Sequence, residues 1–95
     1  MVKKITWTSS ALDDLEKVVD YIFQDSPIYA LTFYNQVQEA ARGLAELANR
    51  GRIVPEYDNE NIREVFVQRY RLIYQILDKQ VIILTFIHGA RLLNN

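Results

Sequence analysis

The sequence predicts an α+β fold in the order β-α-α-β-β-β, an antiparallel helical hairpin packed on one face of a mostly antiparallel sheet. Three observations predict it. Apolar residues recur at helical spacing through two long stretches of the first half, the period changes to two after Gly51, and the later strands are joined by connections short enough to force hairpins. Ninety-five residues accommodate one domain, spanning 1–95.

Each element has a local signature. "VKKITW" reads as a short strand in which Ile5 and Trp7 alternate with Lys4 and Thr6. "TSSALDD" reads as a helix start, with Ser10 and Asp13 at capping-box spacing. Leu12, Leu15, Val19 and Ile22 then form one apolar stripe. "QDSP" ends that helix, because proline disfavours a helical residue before it, and Ser26 caps a second helix that begins at Pro27. Its stripe is Ala30, Phe33, Val37, Ala41, Leu44 and Ala48, which predicts about 22 residues and a length of about 33 Å before Asn49 and Gly51 stop it. "GRIVPEYDNEN" is a connecting loop. "IREVFV", "YRLIYQIL" and "VIILTFI" are strands joined by Gln68-Arg69 and Asp78-Lys79-Gln80.

Alternation sorts the strand residues into two faces. Val65, Val67, Leu72, Tyr74, Ile76, Ile83 and Ile87 form an apolar face for the helices. Glu64, Phe66, Arg71, Ile73, Gln75, Leu77, Leu84, Phe86 and His88 fall on the other. A two-residue Lys79-Gln80 turn sets Arg71 opposite His88, whereas a three-residue turn sets it opposite Ile87. Phe66, Ile73, Leu77, Leu84 and Phe86 together make an apolar patch large enough to need a cover. A partner chain, the C-terminal tail, or the loop around Pro55 could supply that cover.

Composition excludes several functions. There is no cysteine and one histidine, so no disulfide framework, thiolate site or metal-ligand spacing exists, and no cofactor or metal is expected. No apolar run approaches the roughly 20 residues of a membrane span, and no leader pattern opens the chain, so the expected location is the cytoplasm. The net charge is −1, without the basic surplus of a nucleic-acid binder. Residues 51–95 nevertheless hold Arg52, Arg63, Arg69, Arg71 and Arg91, a recognition surface unless they pair with nearby acids such as Glu56 and Glu64.

The early Trp7, the "DSP" break, the "GRIVPE" loop, the Arg63-Glu64 pair, "YRLIY" and the terminal "HGAR" together resemble the RelE/ParE superfamily of bacterial toxins, with the ParE branch the nearer likeness. The resemblance covers nearly the whole chain. It implies a type II toxin–antitoxin toxin that inhibits DNA gyrase by binding and is neutralised by a ParD-like antitoxin, with a homodimer open to it when the antitoxin is absent. Arg71, His88, Arg91, Leu92 and Leu93 are then the expected target-binding residues, and Phe66, Ile73, Leu77, Leu84 and Phe86 the expected antitoxin contacts.

Two alternatives stand beside this reading. The RelE branch implies a ribosome-dependent endoribonuclease, with Glu56 as base, His88 as acid, and Arg71 and Arg91 supporting the phosphorane. Against it, no tyrosine follows Arg91, and Arg63 and Glu64 stand where that branch carries lysines. The second alternative is a scaffold module with no toxicity. On the structural reading, His88 closes the last strand, its ring packs on Phe86 or Tyr70, and Gly89 allows a tight turn.

Overall fold

A computed structural model describes residues 2–90. The order is β1 (Lys4–Trp7), α1 (Ser9–Asp25), α2 (Pro27–Gly43), a 3₁₀ turn at Ala48–Arg50, β2 (Arg52–Ile53), β3 (Ile62–Val67), β4 (Tyr70–Ile76) and β5 (Gln80–His88). Among the described residues the strands form one sheet in the order β1-β5-β4-β3-β2, with β1 parallel to β5 and the other pairs antiparallel. The predicted plan therefore holds, with one short edge strand added.

The helix termini differ in detail from expectation. Thr8, not Ser10, caps α1: its hydroxyl accepts from the Ala11 N–H at 3.0 Å. Ser26 caps α2, accepting from the Tyr29 N–H at 3.1 Å, with Pro27 in the first turn. α1 is rolled so that Ala11 and Leu15 are buried while Leu12 is exposed. α2 ends at Gly43 rather than near Ala48. Leu44 and Ala48 keep their buried positions because a turn and the 3₁₀ segment carry them, which is why the apolar spacing overstated the helix.

One layer of core lies between helices and sheet. Leu15, Phe33, Val37, Ala41 and Leu44 meet Val67, Leu72, Tyr74, Val81, Ile83 and Phe86. Three rings anchor it: Phe33 stands edge-on to Tyr70 and to Phe86, and Tyr70 stacks on Phe86 with centroids 5.2 Å apart. Tyr74 reaches past the sheet end, donating to the Ala48 carbonyl at 2.6 Å and accepting from the Gly51 N–H at 3.1 Å. Gly51 must be glycine there, since a Cβ would lie 2.4 Å from the Tyr74 hydroxyl.

The face assignment holds on β3 and β4 and fails at the end of β5. The β4–β5 turn has two residues, Asp78 and Lys79, closed by the Leu77 N–H donating to the Gln80 carbonyl at 2.9 Å. Tyr74 then pairs with Ile83 but Ile73 with Thr85, so Leu84 is an extra residue. Beyond it the parity is reversed. Phe86 and His88 share the helix-side face with Leu72 and Tyr70, and Arg71 is opposite Ile87 rather than His88.

Candidate functional site

The face away from the helices is organised around Arg71. β4 carries it between Tyr70 and Leu72, and alternation turns it from the core. Its side chain is 4% exposed. The two terminal nitrogens grip the Glu56 carboxylate, each at 2.8 Å, and Nε donates to Glu64 at 2.6 Å. Glu64, on β3 and itself buried, also receives Arg52 from β2. The Arg52 guanidinium lies 5.6 Å from the centre of the Phe66 ring. Hydrogen bonding to Glu56 raises the Arg71 pKa above its ordinary value against the opposing pull of burial, and Glu64 adds to the rise. Arg71 is thus permanently charged, with each of its three guanidinium nitrogens bonded to a carboxylate.

Glu56 comes from the loop after β2. Val54 in that loop is buried, its N–H donates to the Ile62 carbonyl, and the Tyr57 N–H donates to the Val54 carbonyl. The loop therefore folds over the second face. Ile73 on this face is 1% exposed and not part of the expected open patch. Phe86 leaves that patch too, because the parity change at Leu84 sends it into the core. Phe66 and Leu77 remain exposed and Leu84 is half-buried.

His88 closes β5 on the opposite face. Its ring stands edge-on to Tyr70 with centroids 5.5 Å apart, and its Nδ1 accepts from the Ala90 N–H at 3.2 Å. The Gly89 N–H donates to the Arg69 carbonyl at 2.6 Å, and a Cβ at Gly89 would meet that oxygen at 2.9 Å. This is the strand-closing role read from the sequence. Glu56 and Arg71 are brought together as an ion pair, and His88 is separated from both by the sheet. Arg91, Leu92 and Leu93 lie outside the described residues.

Large exposed apolar side chains concentrate elsewhere, on the helical hairpin: Leu12, Tyr21, Phe23, Ile28, Leu31 and Tyr34. Leu12, Leu15, Val19 and Tyr34 line a groove of about 300 Å³ between the helices. Sequence reasoning missed this surface because it assigned Leu12 to the core. The signal was present in the excess of aromatic and branched residues between Tyr21 and Tyr34 beyond what one stripe needs. Among the described residues no group of three or more acids and histidines could hold a metal, and no helix is long and apolar enough to cross a membrane.

A two-helix hairpin on a mixed five-stranded sheet is the fold this chain shares with known proteins of toxin–antitoxin systems. The family model of the ParE toxin of the type II toxin–antitoxin system parDE matches residues 5–93. The chain belongs to this family, and so is a type II toxin–antitoxin toxin of the RelE/ParE superfamily. It is 38% identical over 90 residues to Toxin RelE2 of Caulobacter vibrioides, covering 94% of this chain and 98% of that protein. In fold it is similar to a chain of the chromosomal ParDE system from P. aeruginosa, with a TM-score of 0.74, 22% identity, and coverage of 92% of this chain and 96% of that one. It also resembles a chain of the RelBE2 toxin–antitoxin complex from Mycobacterium tuberculosis, with a TM-score of 0.66, 24% identity, and coverage of 93% and 99%.

Proposed function

We propose that this toxin poisons DNA gyrase by binding it in the cytoplasm and that it cuts no RNA. The observation that carries this reading is the separation of Arg71 from His88. A nuclease needs its base, acid and cations around one phosphate. Here Glu56 neutralises Arg71 on one face while His88 stands on the other. The net charge of −1 also speaks against a surface made for a phosphate backbone. The rival reading rests on residue types and on the name of the Caulobacter relative.

Target contact falls to the end of β5 and the tail beyond it: His88, Arg91, Leu92 and Leu93. Arg71, expected among them, is better read as a scaffold residue, since each of its guanidinium nitrogens donates to Glu56 or Glu64. A cognate ParD-like antitoxin covers the toxin, in keeping with the two solved neighbours, which belong to a ParDE system and to a RelBE2 toxin–antitoxin complex. The hairpin groove is the favoured place for it, together with Phe66, Leu77 and Leu84 at the sheet. Without antitoxin the same surface is available for a homodimer.

A supercoiling assay with purified gyrase, run beside a translation reaction probed for cut messenger RNA, tests the target. Inhibition of supercoiling with intact message is expected. Unimpaired supercoiling with cleavage at the ribosomal A site would overturn the proposal and return Glu56, Arg71, His88 and Arg91 to an active site.

A further inference from the structure

The extra residue in β5 decides what the end of that strand presents. Up to Ile83 the pairing with β4 is regular, with Ile76 opposite Val81 and Tyr74 opposite Ile83. Had that register continued, Thr85 and Ile87 would face the helices, and Phe86 and His88 would join Arg71 on the other side. Leu84 instead reverses the parity.

A bulge leaves main-chain groups that the neighbouring strand does not satisfy, so something else must hold it. Here α1 does. The Leu84 carbonyl accepts from the Thr8 hydroxyl at 3.3 Å, and the same hydroxyl caps α1 by accepting from Ala11. The Phe86 N–H and the Thr85 hydroxyl both donate to one Asp14 carboxylate oxygen, each at 3.2 Å. The Thr8 N–H adds a bond to the Ile83 carbonyl at 3.1 Å. Two side chains from the first half of α1 and its cap therefore bracket Leu84 from both sides.

We infer that Thr8 and Asp14 are positioning residues that set the register of the end of β5, and through it the face on which His88 meets the target. Asp14 acts through the Phe86 main chain. The inference rests on the proposed role of the β5 end in target binding, but its structural half stands without that role.

Nuclear magnetic resonance on the full chain, paired with the supercoiling assay, tests both halves. In the wild type, the Phe86 amide should exchange slowly and the His88 ring should show contacts to Tyr70. Contacts from His88 to Arg71 instead would overturn the inference at once. Asp14→Ala should speed Phe86 amide exchange about tenfold or more and weaken the Tyr70–His88 contacts, as expected for losing two hydrogen bonds. Its gyrase inhibition, counted per folded molecule, should fall about tenfold or more, and Asp14→Asn, which keeps an acceptor oxygen, should recover most of it. A purely stabilising Asp14 would lower the melting temperature and leave potency per folded molecule unchanged, which refutes the positioning role. If Asp14→Ala does not fold, Thr85→Val removes one of the two donors and should shift both readouts the same way by a smaller factor; no shift refutes the inference. A wild type that leaves gyrase untouched defeats the target reading alone, and the exchange and ring contacts then decide the register by themselves.

Discussion

Glu64 is shared between Arg71 and Arg52 and has almost no contact with water, so its charge is tolerated only with both partners in place. Glu64→Ala should cost about 3 kcal/mol in urea unfolding, because it removes a buried carboxylate that compensates the buried Arg71 charge. Glu56 is partly exposed and can be replaced by water, so Glu56→Ala should cost roughly half as much. An equal cost for the two would mean that Glu64 is not the deeper partner. Tyr74 makes a second test. Burial raises its pKa above the ordinary 10.0, against the lowering effect of the Gly51 hydrogen bond. A raised folded pKa confers stability that is fully present below the unfolded value and lost as pH climbs through the folded one. Tyr74→Phe should cost about 1–2 kcal/mol at neutral pH, since the Ala48 carbonyl and Gly51 N–H lose their partner. The gap between wild type and variant should close as urea unfolding is repeated above about pH 10.

At the scale of elements, the β3–β4 hairpin turns through Gln68 with φ 54°, in the left-handed region where a side chain is strained. α2 holds it there. The Tyr29 hydroxyl donates to the Gln68 Oε1 at 2.8 Å, and the Gln68 Nε2 donates to the Gln36 Oε1 at 2.7 Å. Gln68→Ala keeps the strain and loses both bonds, so it should destabilise by about 1 kcal/mol. Gln68→Gly loses the bonds but relieves the strain and should come back to within about 0.5 kcal/mol of wild type. Thermal melts of the three proteins order them. A glycine variant no better than alanine would show that the hairpin is held by the α2 clamp alone.

For the whole molecule, the two faces have different work. The sheet face away from the helices buries its central charges in ion pairs, while the helical hairpin leaves Ile28 81% exposed and Leu31 61% exposed. An apolar surface of that kind calls for a partner. Leu12→Glu, at the groove between α1 and α2, should leave unfolding within about 0.5 kcal/mol of wild type, since Leu12 is half in water already. It should weaken antitoxin binding about tenfold or more in titration calorimetry if the groove holds the antitoxin. Unchanged affinity would move the antitoxin to Phe66 and Leu77.

Local signals in the sequence determined the element order, the Ser26-Pro27 break, the strand pattern after Gly51, the buried stripe from Ala30 to Ala41, and the set of acids available to Arg71. Each depends on neighbours in the chain or on a tight hairpin, so spacing is enough to read it. Tertiary structure decided the rest. The turn after Gly43 is invisible to periodicity because Leu44 and Ala48 stay buried through it. The edge strand Arg52–Ile53 is too short to show a period. Above all, the face taken by Phe86 and His88 depends on one extra residue in β5, held by Thr8 and Asp14 from more than 70 residues away. Alternation counts residues along one strand. It cannot record a hydrogen bond from a helix at the other end of the chain, and that bond is what parts His88 from Arg71.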